Sequence, residues 1–321
     1  MAAITSNGTN IGPTGRMLLT RRAGALLETP IELLIKATGI LTIALLVGIL
    51  VLLARQGLRL FLDLNYPLDR FLTFDNAVTT NTTDPAEFPF GILPPLIATF
   101  WVTAVCLFFA VPLGLATAVF ISELAPPRVR LIIKSLAELL AGVPTVIFAF
   151  VGLALVVPEI QSHFGWGAGG LSGITAGLVV SFVAVPLIIS ISDDALQAVP
   201  IDFKENAYAL GCNKAQAIVF VIMPAAISGI TAAVMLGMTR AIGETMVVLV
   251  LAGGNSSIPH DPTDSMRPMT ATIAAGFGNA TDQSLIRPAL YMTGAVLFVL
   301  TFFTTWIADW VLERQRKKFA R

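Results

Sequence analysis

The chain has 321 residues, of which 55% are hydrophobic and only 12% charged, with a formal net charge of zero and a mean hydropathy of +0.82. An average soluble protein carries roughly 25% charged residues, so this composition excludes a water-soluble globule. The zero net charge gives no basic bias toward nucleic acid.

Residues 1–15, rich in Thr, Asn, Gly and Pro, read as a disordered tail. Apolar runs follow near 37–54, 96–122, 136–157, 171–191, 225–251 and 288–312. A bilayer core needs about 20 apolar helical residues, because no water is present to satisfy the backbone. The runs therefore predict an all-α integral membrane protein of six transmembrane helices. Arg21 and Arg22 precede the first run, and Arg55-Gln56-Gly57 follows it where a small-residue cleavage site would stand, so the first helix is read as uncleaved. The segment up to Gly91 contains Pro67, Pro85, Pro89 and Asn81-Thr82-Thr83-Asp84 and is expected to be irregular. From Leu93 onward the spans follow one another closely. Residues 1–92 (tail, first helix and extracytoplasmic segment) thus read as an addition to a five-helix core over 93–312, with a basic tail at 313–321. Pro126-Pro127 stops the second span after Ser122-Glu123, Pro144 predicts a kink in the third, and Pro186 interrupts the fourth.

Lys and Arg accumulate in cytoplasmic loops. With the N-terminus inside, the inner segments hold Arg16, Arg21, Arg22, Arg128, Arg130, Lys134, Lys204, Lys214 and the cluster Arg314, Arg316, Lys317, Lys318 and Arg321. The outer loops hold Arg55, Arg59, Arg70, Arg267 and Arg287, offset by Asp63, Asp69, Asp75, Asp84 and Glu87. Both termini are predicted to be cytoplasmic. Cys106 lies in the second span and Cys212 in an inner loop, so they fall at different levels and no structural disulfide is expected.

The inner loop 193–224 begins Asp193-Asp194 and passes through Pro200. It continues as Lys204-Glu205-Asn206-Ala207-Tyr208-Ala209-Leu210-Gly211 and closes on Ile222-Met223-Pro224. Pro200 suits the entry to a short helix, and Gly211 can supply the positive φ that ends it. The prediction is a helix–turn–helix on the cytoplasmic face, able to dock into a soluble partner. This loop resembles the EAA signature of ABC import permeases, with Glu205, Ala207, Gly211 and Pro224 in register. Asn206, Val221 and Met223 replace the Ala, Ile and Leu of that signature. The resemblance implies the type I ABC importer permease fold, a five-helix core plus one N-terminal helix. It also makes Glu205, Ala207 and Gly211 part of a coupling element seated in a cytoplasmic ATPase. No Gly-x-x-x-x-Gly-Lys-Ser/Thr occurs, so ATP and Mg are expected on a partner chain, and this chain is expected to have no catalytic residues or cofactor of its own.

Arg240 and Glu244, spaced i, i+4, fall on one face of the predicted fifth helix. One reading is a salt bridge holding helices together. The other is a path for an oxyanion: Arg offers a planar fork that matches phosphate bidentately. Glu244 would then limit retention and accept a hydrogen bond from a protonated phosphate oxygen. The motif Arg240-Ala241-Ile242-Gly243-Glu244-Thr245-Met246, followed by Gly253-Gly254-Asn255, resembles the C-subunit family of Pst phosphate transporters. Leu139-Leu140-Ala141-Gly142-Val143-Pro144 and Asp194-Ala195-Leu196-Gln197-Ala198-Val199-Pro200 extend the resemblance. It implies that Arg240 and Glu244 line the phosphate path by alternating access. The implied partners are a second permease subunit (or a second copy of this chain), two ATPase subunits and an extracytoplasmic phosphate-binding protein, in the inner membrane of a prokaryote. The alternative within the class is a permease for another oxyanion or small solute. Glu138 is a weaker path candidate and also fits an interfacial cap. His163, and His260 with Asp261 and Asp264, read as solvated loop groups, with no metal site expected. No His-Glu-x-x-His or Gly-x-Ser-x-Gly occurs to support an intramembrane enzyme.

Overall fold

The computed structural model describes residues 13–73, 76, 77, 84, 87–281 and 284–319. The expectations for the tail before Pro13, for Asp75, Pro85 and Asn81-Thr82-Thr83, and for Arg321 lie outside these residues. Among the described residues the regular structure is helical, and the β pairing consists of isolated bridges. The described residues divide between Leu52 and Leu53 into two separate compact units. The first contains the leading part of helix α1 (Pro13–Leu62), whose apolar stretch runs from Ile31 to Leu62, past the predicted end at 54.

In the second unit the end of α1 leads to the short α2 (Leu68–Thr73). The described residues between α2 and α3 carry little regular structure, but several of them are fixed by packing. Tyr66, Phe71, Phe88 and Phe90 are buried together with Met269, Leu285 and Ile286. The Tyr66 hydroxyl donates to the carbonyls of Phe90 at 2.7 Å and Phe88 at 3.1 Å, satisfying two backbone acceptors that no sheet serves.

The core is α3 (Leu93–Val119) against α7 (Gly173–Gln197) and α11 (Ile227–Ile242), with Val102, Cys106, Val180, Ile188 and Ala241 buried among them. Lipid offers no hydrophobic drive between helices, so association depends on close packing at small residues. Gly114 of α3 and Gly237 of α11 both face Ile188 of α7; a Cβ there would come within 2.7 and 2.9 Å of its side chain.

Three expectations for the spans are corrected. The run from 136 is not one kinked helix: α4 (Pro127–Ala141) ends at Gly142, and the span is α5 (Thr145–Val151), a π turn over Gly152–Val156 and α6 (Val157–His163). Pro144 stands just before a new helix, where its missing N–H costs nothing. Pro186, in contrast, lies inside the unbroken α7 and does not interrupt it; neighbouring helices can compensate a lost backbone bond in a bilayer. After α7 come α8 (Ile201–Ala209), then α9 (Lys214–Ala217), a π turn over Ile218–Ile222 and α10 (Met223–Ala225). The stretch Lys214–Ala225 meets α11 at a 72° bend, and if that pair is taken as one span, the described residues hold up to six helical segments long and apolar enough to cross a membrane.

The third correction concerns the fifth span. α11 stops at Ile242, and helix resumes only over α12 (Met246–Leu251). Beyond it, Gly253 and Gly254 adopt φ of +91° and +72° and turn the chain toward α13 (Met269–Asn279). The last span is α14 (Ile286–Phe319).

Candidate translocation site and partner-facing surface

The break between α11 and α12 places Arg240 and Glu244 differently from a continuous helix. Arg240 sits in the last turn of α11, and Glu244 lies beyond its end. The Arg240 side chain is 47% exposed and that of Glu244 only 3%. Glu244 Oε1 accepts the backbone N–H of Met246 at 3.2 Å and of Val247 at 3.4 Å, two of the orphan donors at the start of α12. Its Oε2 lies 3.8 Å from Arg240 Nη2, an ion pair at the edge of contact and too long for a hydrogen bond. The carboxylate is thus held by backbone, in the position where a helix dipole favours negative charge. The guanidinium keeps most of its five donors available.

Sequence reasoning missed α13, which pins this break. Thr270 Oγ1 donates to the Glu244 carbonyl at 2.7 Å, and Thr99 of α3 accepts the Met269 N–H at 3.0 Å. Just ahead of α13, Arg267 packs against Gly254, where a Cβ would stand 3.6 Å from its Nη2. Burial pushes the Arg267 guanidinium below the usual arginine value. An apolar cavity of about 590 Å³ between α3, α11 and α14 is lined by Phe100, Thr103, Met238, Ile242 and Leu300. It includes neither Arg240 nor Glu244, so its chemistry suits hydrocarbon and not an oxyanion.

The loop 193–224 folds as a hairpin of short helices. Gly211 has φ +84°; its N–H donates to the Tyr208 carbonyl at 2.9 Å, and the Cys212 N–H to the Ala207 carbonyl at 3.1 Å. This is the paired closure that a left-handed residue allows at a helix end. Asn213 and Gln216 then form a reciprocal capping box at the start of α9. Ala207 is buried inside the hairpin, Glu205 is exposed, and Ile201, Tyr208 and Leu210 present apolar surface outward, Leu210 at 86% exposure. A charged and apolar surface of this kind suits a soluble protein partner.

At the same, basic end of the bundle the structure reveals two charge clusters that sequence reasoning used only as markers of sidedness. Asp193 of α7 is fully buried and takes Arg130 at 3.3 Å, Lys134 at 3.1 Å and Gln197 at 2.7 Å; Lys134 also reaches Asp194 at 2.8 Å. The hydrogen bond to Asp194 is the main cause that holds the Lys134 ammonium above its ordinary pKa. Lys204 of α8 donates to Glu123, in the π turn that ends α3, at 2.6 Å. Glu138 is exposed on α4 and touches neither cluster. Cys106 is buried, Cys212 partly so, and both are free thiols. His163 is the last residue of helix α6 and not a loop residue, and it lies against Glu159 at 3.3 Å; Asp264 accepts the N–H groups of His260 and Asp261 and so orders that loop.

Residues 110–317 match the family described as "Binding-protein-dependent transport system inner membrane component". The chain is 32% identical over 311 residues to the "Probable ABC transporter permease protein YqgH" of Bacillus subtilis (strain 168), covering 97% of this chain and 99% of that one. It is 33% identical over 255 residues to the "Phosphate transport system permease protein PstC" of Mesorhizobium japonicum, covering 74% and 78%. In structure it is similar to a chain of a bacterial alginate ABC transporter, with a TM-score of 0.58, 14% identity and coverage of 93% and 98%. A chain of the MetNI methionine ABC transporter gives a TM-score of 0.53 at 17% identity, covering 68% and 93%.

Proposed function

This chain belongs to the family of binding-protein-dependent transport system inner membrane components, the multi-pass permease subunits of ABC importers, and we propose that its cargo is inorganic phosphate. In this family the ATPase is a separate subunit. The observation that carries the phosphate reading is the half-exposed Arg240 guanidinium beside a carboxylate already anchored by α12. A guanidinium with free donors can chelate a tetrahedral oxyanion through two oxygens. A fixed acceptor close by favours an anion that still carries a proton, as phosphate does near neutral pH and sulfate does not. The similarity to phosphate permeases named PstC supports the same reading.

In this account Arg240 and Glu244 line the path, exposed alternately to either side of the inner membrane. Glu205, Ala207 and Gly211 belong to the coupling hairpin that seats in a cytoplasmic ATPase, one of two such subunits. A second permease and an extracytoplasmic phosphate-binding protein complete the importer, and both termini of this chain face the cytoplasm. The reading is tested by uptake into vesicles carrying the assembled importer. Phosphate should enter with ATP and equimolar sulfate should not compete; uptake of sulfate or of an uncharged solute in place of phosphate would overturn it.

A further inference from the structure

Helix α8 has weak purchase on the membrane-embedded bundle. Ala207 is its only buried side chain, and α8 as a whole packs on α9 and the π turn of its own hairpin. The returning arm is different: Ile218 and Ile222 are buried with Ala118 of α3 and Leu196 of α7. Among the described residues, the Lys204–Glu123 pair is the one side-chain hydrogen bond or ion pair that joins α8 to a membrane span. It is short, at 2.6 Å, and the Glu123 side chain is 6% exposed. A charge pair removed from water is little screened and strongly distance-dependent, so it resists separation more than a surface pair does. Glu123 sits in a π turn, Phe120–Leu124, a wider coil of the kind that often marks functional positions in helices. The Asp193 cluster does a separate job at the same end, binding α4 to α7.

We propose that Lys204 and Glu123 form a strut that makes the inner end of α3 follow α8, so that movement imposed on the hairpin is passed directly to the second span. The strut rests on the coupling role proposed above for residues 193–224. Lys204 is a positioning residue: it touches neither Arg240 nor the transported anion. Its role is to convert displacement of a surface helix into displacement of a core helix, and a neutral side chain of similar length cannot hold Glu123 in tension.

The test uses the assembled importer in lipid, with Cys106 and Cys212 replaced by Ala and spin labels attached at Asp202→Cys on α8 and Phe108→Cys on α3. Their separation is measured without nucleotide and after trapping with ATP and vanadate. The strut predicts one separation in both states for the parent and for Lys204→Arg, and a shift between states for Lys204→Met. A state-dependent separation in the parent, or an unchanged one in Lys204→Met, would overturn it. Glu123→Gln should reproduce the Lys204→Met shift, and the exchanged pair Lys204→Glu with Glu123→Lys should abolish it. Loss of assembly in both single variants that the exchanged pair does not restore would make the pair mere scaffold and also overturn the proposal. Co-purification of the ATPase is scored in parallel. It reports on docking of the hairpin, which Lys204→Met should leave intact, so failure of the coupling reading is distinguishable from failure of the strut.

Discussion

Glu244 Oε2 stands 3.8 Å from Arg240 Nη2, while the other oxygen of the same carboxylate holds the first N–H groups of α12. The carboxylate therefore owes its position to the backbone more than to the arginine. This asymmetry predicts unequal costs. Arg240→Met should lower stability by no more than about 1 kcal/mol, because the contact is long, Arg240 itself is half-exposed, and the buried carboxylate keeps its backbone donors. Glu244→Ala leaves the buried Val247 N–H and the part-buried Met246 N–H without their acceptor and should cost about 1–3 kcal/mol. Glu244→Gln keeps an acceptor and should fall between them. Thermal unfolding of the purified permease in detergent checks the order.

Gly211→Val should uncouple the importer without removing the chain from the membrane. No atom lies within 4 Å of where a Cβ would be built, so the penalty comes from φ +84° alone. A β-branched residue there costs of order 1–3 kcal/mol locally, enough to change the angle between α8 and α9. ATPase co-purification and transport should both fall, and normal values for both would remove the hairpin from the coupling role.

The Asp193 cluster should respond according to which charge is left behind. Arg130 and Lys134 are about a third exposed, so Asp193→Asn leaves cations that water can reach. Replacing both cations by Met leaves a fully buried carboxylate and should cost more, about 3–5 kcal/mol. Equal melting temperatures for the two variants would contradict the burial assigned to Asp193.

Lys134 adds a pH dependence. Its pKa is raised by Asp194 and Asp193, so its contribution is complete below the ordinary lysine value of 10.5 and is lost as pH rises through the higher folded value. The stability gap between the parent and Lys134→Met should stay constant from neutral pH to about 10 and close above that. A gap that closes near neutral pH would be inconsistent with this pairing.

Much of the architecture is legible in local sequence because its causes are local. The apolar runs locate the spans though not their breaks, and Pro200 and Gly211 mark the ends of α8, where a missing N–H is tolerated and a positive φ is adopted. The features that sequence reasoning missed depend on distant partners. Lys204 finds Glu123 across 81 residues, and Arg130 finds Asp193 across 63, so each charge reads alone as a marker of sidedness. The break at Gly243 is hidden for a similar reason. Its φ of −82° is ordinary, and nothing local forbids a continuing helix. The break is supported by Thr270, which satisfies the Glu244 carbonyl from 26 residues away.

The most direct test is phosphate uptake by vesicles carrying the double variant Arg240→Met with Glu244→Gln. A purely structural pair, removed together, leaves no unpaired charge and should permit full transport. A guanidinium that binds the passing anion cannot be replaced in this way. The account predicts an importer that assembles and retains its ATPase but takes up no phosphate, with Arg240→Lys reduced because a point charge lacks the bidentate fork. Phosphate uptake by the double variant at the parent rate would contradict it.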